Sequence, residues 1–89
     1  MKINKEQRKI IESAVLNRLI KHLQDDKDLQ NIDLMNLAGF CRNCIAKWYT
    51  EEAKTNGIRN VNYESVREII YGMPYEEWKK KYQKPLKPK

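Results

Sequence analysis

Apolar residues recur along the chain at spacings of three and four, interrupted by short polar turns, and this pattern predicts an all-α fold of about four helices. The first helix is expected from Asn4 to Leu23. Asn4 can cap it, with Gln7 three residues on in a capping-box arrangement. Ile11, Val15 and Leu19 share one face and Leu16, Ile20 and Leu23 lie beside it, a stripe broad enough for two neighbours. Lys21 and His22 fall in the last turn, where cations suit the helix dipole. A polar turn follows at Asp25–Asp28.

The second helix is expected from Leu34 to Asn56 with Asp33 as its N-cap. Leu34, Leu37, Ala38, Cys41, Cys44, Ile45 and Trp48 follow the spacing of one buried face, and Met35, Phe40 and Tyr49 widen it. That girth makes this long helix the expected centre of the fold. Gly57 suits a left-handed C-terminal cap, with Ile58 folding back on Ala53. Gly39 is the weak point, since glycine inside a helix costs about 1 kcal/mol relative to alanine. Either another backbone packs close to it, or the helix kinks or breaks there.

The third helix runs from Asn62, its cap, through Tyr71, with Val66, Ile69 and Ile70 facing inward, and Gly72 stops it. Pro74 opens the fourth, where a missing N–H costs nothing. Tyr75, Trp78 and Tyr82 form its aromatic stripe, behind Glu76 and Glu77 in the first turn. Residues 1–83 make one helical domain, and prolines among lysines over 84–89 predict a disordered tail.

Length changes the picture first. A chain of 89 residues buries a modest fraction of its surface, so its core calls for help from a metal, a second subunit or close helix packing. Two cysteines three apart cannot staple distant segments. The N-terminus carries no apolar signal region and no window is long enough to span a membrane, so the thiols are expected reduced in a cytoplasm. The net charge of +6 suggests nucleic acid until it is mapped. Lys+Arg and Asp+Glu balance at 12 each from Met1 to Trp78, and six lysines with no acid follow from Lys79 to Lys89. The excess therefore reads first as a solvated tail rather than a basic face.

The chemistry concentrates in Cys41-Arg42-Asn43-Cys44. On a continuous helix both thiols share a face one turn apart and can chelate a metal. Structural zinc asks for four ligands. His22 is the one histidine in the chain, and Asp25, Asp26, Asp33 or a second subunit would have to complete the set. Redox chemistry needs a depressed thiol pKa, which a helix starting at Cys41 would favour, but no strand precedes the pair as in thioredoxin-like sites. The register itself favours a third reading, two small apolar core residues. A zinc deaminase is excluded because His22 is not followed by x-Glu and Phe40, not proline, precedes Cys41. A hydrolytic triad has no third member.

Two surfaces complete the candidates. Met35, Phe40, Tyr49, Tyr75 and Trp78 are the residues expected at a dimer or partner interface. Trp78 and Tyr82 beside Lys79, Lys80 and Lys81 offer a weaker single-strand nucleic-acid reading. No cofactor is expected, with zinc the one candidate.

The blocks QNIDLMNLAGFCRNCIAKWY and VREIIYGMPYEEWKKKYQ resemble the bacterial family known as domain of unknown function 1244. The resemblance covers Ile20 to about Gln83 and leaves the lysine tail outside. It implies a compact multihelical homodimer with no established activity and supplies no catalytic or binding residues to carry over. The combined expectation is a helical protein acting by self-association or protein binding.

Overall fold

A computed structural model describes residues 1–85 of the chain. Among these the fold is all-helical, with α1 Lys5–Asp25, α2 Asn31–Ala38, α3 Arg42–Thr55, α4 Tyr63–Tyr71 and α5 Tyr75–Tyr82. The expected long second helix is two helices. Gly39 sits in the left-handed region at φ 76°, its N–H closing on Met35 O at 3.0 Å, and the chain turns there before Cys41 opens α3. Asp33 is not the cap of α2. Gln30 is, and the Asp33 carboxylate accepts the Gln30 N–H at 3.1 Å from one turn inside.

The other helix ends follow their local chemistry. Asn4 accepts the Gln7 N–H at 2.8 Å while Gln7 Oε1 accepts the Asn4 N–H at 3.0 Å, a reciprocal capping box. Asn62 accepts the Ser65 N–H at 2.9 Å and starts α4. Gly57 and Gly72 are both left-handed, and the Ile58 N–H returns to Ala53 O at 2.8 Å.

The centre of the fold is α4 rather than the helix carrying the cysteines. It packs against α3, α1 and α5. Its Val66, Ile70 and Tyr71 are nearly sealed from solvent, with Trp78 of α5 and Ile45 and Ala46 of α3 around them. Gln24 of α1 donates to the carbonyls of Ile69 and Ile70 at 3.0 and 3.2 Å, so one side chain ties α1 to the end of α4. The same amide lies 3.1–3.3 Å from where a Cβ on Gly72 would stand.

This geometry separates two glycines that look alike in sequence. Alanine at Gly39 meets nothing within 4 Å and carries only the left-handed penalty of about 1–2 kcal/mol. Alanine at Gly72 carries that penalty and also displaces Gln24. Urea midpoints at one fixed protein concentration should therefore fall more for Gly72→Ala than for Gly39→Ala.

Most of α1 stands apart from this array. Every residue before Ile20 is exposed, including Ile10, Ile11, Val15, Leu16 and Leu19, and only Ile20 and Leu23 of α1 enter the core. The radius of gyration is 15.1 Å and the long axis 51 Å, against about 12 Å expected for the radius of a globular domain of this length. The excess is the projecting helix. No helix among the described residues is long and apolar enough to cross a membrane.

At the other end of the chain, Gln30 spans two elements. Its amide donates to Tyr82 O at 3.0 Å and accepts the Lys84 N–H at 2.8 Å. Lys84, grouped with the tail on sequence grounds, is thus held against the start of α2. The tail expectation for residues 86–89 falls outside the described residues.

Candidate functional site

The junction between α2 and α3 gathers the chain's reactive side chains over a buried polar anchor. That anchor is Arg42, 1% exposed and the one charged residue among the buried positions described. Its Nη2 donates to Leu23 O at 3.2 Å and Asp26 O at 3.0 Å, and its Nη1 to Asn31 Oδ1 at 3.0 Å. The guanidinium thus fills the carbonyl end of α1, where unpaired acceptors and the negative end of the helix dipole both favour a cation. It also lies over the Trp78 ring at 5.1 Å. Burial presses the guanidinium below its ordinary pKa, but arginine keeps its charge at any physiological pH.

Asn31 passes this network on. Its amide donates to the Tyr71 hydroxyl at 3.0 Å, which donates in turn to Asn43 Oδ1 at 2.7 Å. Burial pushes the Tyr71 phenol well above its usual value. The folded chain therefore holds this proton more tightly than the unfolded chain. The corresponding stability is complete below about pH 10, the ordinary tyrosine value, and is lost as the pH rises beyond it. Alkaline titration of native protein and Tyr71→Phe should show a steeper loss of stability in the native protein above that point.

The network fixes the peptide on which both cysteines sit. Cys41 is the N-cap residue of α3 with extended backbone and makes no side-chain cap bond, and Cys44 is three residues on in the first turn. Their sulfurs are 3.7 Å apart, both unbridged, with Cys41 buried and Cys44 half-buried. The break at Gly39 brings Met35 round to the same place, its Sδ 3.9 Å from Cys44 Sγ. The helix start expected to activate Cys41 does not do so. Burial outweighs the helix terminus and raises the Cys41 thiol.

His22 lies elsewhere. It is exposed on α1 beside Arg18, Lys21 and Asp25. Among the described residues no three histidines, cysteines or carboxylates gather at one point. The ligand set of Cys41, Cys44 and His22 is therefore not assembled within one chain.

A second feature adjoins this site along α3. An apolar groove of about 570 Å³ is lined by Leu16 of α1, Ile45, Trp48, Tyr49 and Ala53 of α3, and Ile58 and Val61 beyond it, with Glu52 its one charged lining residue. Trp48 is 52% exposed, and its ring meets half-buried Phe40 at 6.0 Å between centroids.

Of the residues expected at an interface, Met35 and Tyr49 are exposed and Phe40 is partly so. Trp78, 2% exposed, is spent on the core, and half-buried Tyr75 lies under the Arg67 guanidinium at 4.0 Å. The aromatic stripe of α5 thus faces inward because α4 supplies the surface it covers. The single-strand reading loses the same ring. Half-buried Tyr82 carries Lys27 Nζ at 5.0 Å over its face, and Lys81 is paired with Glu77 at 2.7 Å, while Lys79 and Lys80 are exposed. Sequence reasoning missed Arg42 as a site residue, placed Met35 at an interface rather than beside the cysteines, and underrated Ile11, Val15 and Leu19 as surface.

Among curated proteins, none matches the chain. The family model described as Protein of unknown function (DUF1244) matches residues 29–89. The match starts nine residues later than the resemblance suggested, takes in α2 to α5, and includes the lysine tail that the quoted blocks left out. α1 lies before the matched span. The matched span is well over half of the chain, and the protein belongs to the DUF1244 family of proteins of unknown function.

Proposed function

We infer that this protein works as a self-associating helical module, in which the exposed face of α1 from one copy lies in the apolar groove beside α3 of the other. The observation that carries this reading is the projecting segment of α1. From Lys5 to Leu19 the helix buries no residue, yet it presents Ile11, Val15 and Leu19 on one face. A free helix of that length is marginal in water. Exposed apolar stripes on such a scale mark surfaces that are covered in the working protein.

A second copy suits the position because stripe and groove are contiguous. Leu16 of α1 is itself a wall of the groove. A two-fold axis beside it brings each stripe onto the other copy's groove, so one arrangement covers both surfaces twice. Charge agrees, since Glu52 in the groove would face a helix carrying Lys5, Arg8, Lys9, Arg18 and Lys21 against Glu6, Glu12 and Asp25.

Trp48 reports on this directly, being half-exposed in the single chain while Trp78 is buried within it. Dilution from millimolar to nanomolar protein should shift tryptophan emission to the red, and Trp48→Phe should remove the shift. Emission that stays constant across the range would take the groove out of the interface.

A further inference from the structure

The break at Gly39 creates a group of three sulfurs that a continuous helix would not make. Met35 sits on α2, Cys41 caps α3 and Cys44 lies one turn in. The distances are 3.7 Å from Cys41 Sγ to Cys44 Sγ and 3.9 Å from Cys44 Sγ to Met35 Sδ. We propose that Cys41, Cys44 and Met35 form a binding site for a soft monovalent metal ion of the Cu(I) class, one ion per chain.

Three observations converge on that chemistry. The first is geometry. Sulfurs bonded to a metal at about 2.3 Å and separated by 3.7 and 3.9 Å subtend about 107° and 116° at it. The first angle is close to the tetrahedral value and the second close to the trigonal one, so each of these two sulfur pairs can share an ion with little movement of the side chains. The second is the donor set. Two thiolates and a thioether are all soft, and soft sulfur sets favour Cu(I), zinc or iron–sulfur clusters over hard ions. Zinc wants four ligands and takes nitrogen or oxygen readily, and here no histidine or carboxylate joins the cysteines among the described residues.

The third is support and access. Arg42 and Asn43 lie between the cysteines and are both held by the buried network, which fixes the loop that carries the sulfurs. Met35 is 42% exposed and Cys44 half-buried, so an ion can reach the site from solvent. Arg42 turns its guanidinium away toward Leu23 and Asp26, leaving the sulfur side uncrowded by a cation. The bound complex carries one negative charge, which the N-terminal end of α3 favours. Binding forms two thiolate–metal bonds and one thioether–metal bond and releases the two thiol protons. No electron moves, so copper must arrive already reduced.

The test uses the full chain without a histidine tag, reduced and kept free of oxygen, titrated with Cu(I) against a chromogenic Cu(I) chelator. X-ray absorption then counts the sulfurs. One ion per chain with three sulfur neighbours is expected. Met35→Leu conserves volume and should leave the fold intact, checked by circular dichroism. It should lower the sulfur count to two and weaken binding by at least about tenfold, since even groups that only orient a ligand are worth about 10- to 100-fold. Cys44→Ser should abolish competitive binding.

Two sulfur neighbours in the native protein, with affinity unchanged in Met35→Leu, would overturn the site as drawn. One ion per two chains with four thiolate neighbours would overturn it in favour of a shared site. Retention of stoichiometric zinc in preference to Cu(I) would overturn the choice of metal. Repeating the titration on Val15→Asp, a change remote from the sulfurs, keeps the result independent of self-association.

Discussion

Arg42→Ala should remove a large share of the protein's folding stability. Two carbonyls, Leu23 O and Asp26 O, lose this donor in alanine, Asn31 Oδ1 keeps only the long 3.4 Å bond from the residue-42 N–H, and a cavity opens beside Trp78. A buried acceptor stripped of its donor costs about 1–3 kcal/mol, and loss of the stacked guanidinium adds to that. The expected total is about 3–5 kcal/mol from the stripped acceptors, the lost ring contact and the cavity. Small domains hold only about 0.05–0.15 kcal/mol per residue, so the variant should melt far below the native protein. Arg42→Lys should recover part of the loss, because an ammonium can satisfy one carbonyl but not the fork that spans α1 and Asn31. Thermal melts of all three proteins at one concentration check this. Equal melting temperatures for native protein and Arg42→Ala would mean that the guanidinium network contributes nothing net.

The second large effect concerns association. Val15 is 59% exposed at the middle of the α1 stripe. In an isolated chain, Val15→Asp is a surface change on a helix and should alter stability by no more than about 0.5 kcal/mol. In a two-fold pair the same residue is buried twice, and each buried valine contributes about 1.5–3 kcal/mol. The dissociation constant should then rise by about a hundredfold or more. Val15→Ala should give a smaller rise in the same direction. Circular dichroism of the variant, matched to native protein diluted to the same monomer fraction, separates dissociation from unfolding.

Much of this fold is legible in the sequence wherever the signal is local. Asn4 with Gln7, Asn62, Gly57 and Gly72 act at their helix ends as their chemistry requires. The three–four spacing within a single helix also places Ile20, Leu23, Ile45, Val66, Ile70 and Trp78 in the core. It fails where a register is carried across a break. Leu37 and Trp48 look buried if residues 34–48 form one helix, but the left-handed turn at Gly39 resets the azimuth, leaving Leu37 86% exposed.

The same turn explains the candidate site. The cysteine pair is visible as a motif, and the break that was one of two options at Gly39 decides its surroundings. Met35 falls off the buried stripe of a continuous helix, and only the turn brings it to Cys44. Arg42 gives no sign of burial in sequence, because its partners are backbone carbonyls of α1 and the following turn, which no residue type announces. Nor does periodicity say whether a stripe such as Ile11, Val15 and Leu19 is covered by the same chain or by another. That depends on the length of chain left to cover it, and α3, α5 and the lower end of α1 are taken up with α4.

Sedimentation equilibrium of the full chain, run beside Val15→Asp over a wide concentration range, tests the association most directly. The native protein should sediment at twice the chain mass of 10.7 kDa and the variant at the chain mass itself. A native protein that stays at 10.7 kDa throughout would contradict the account.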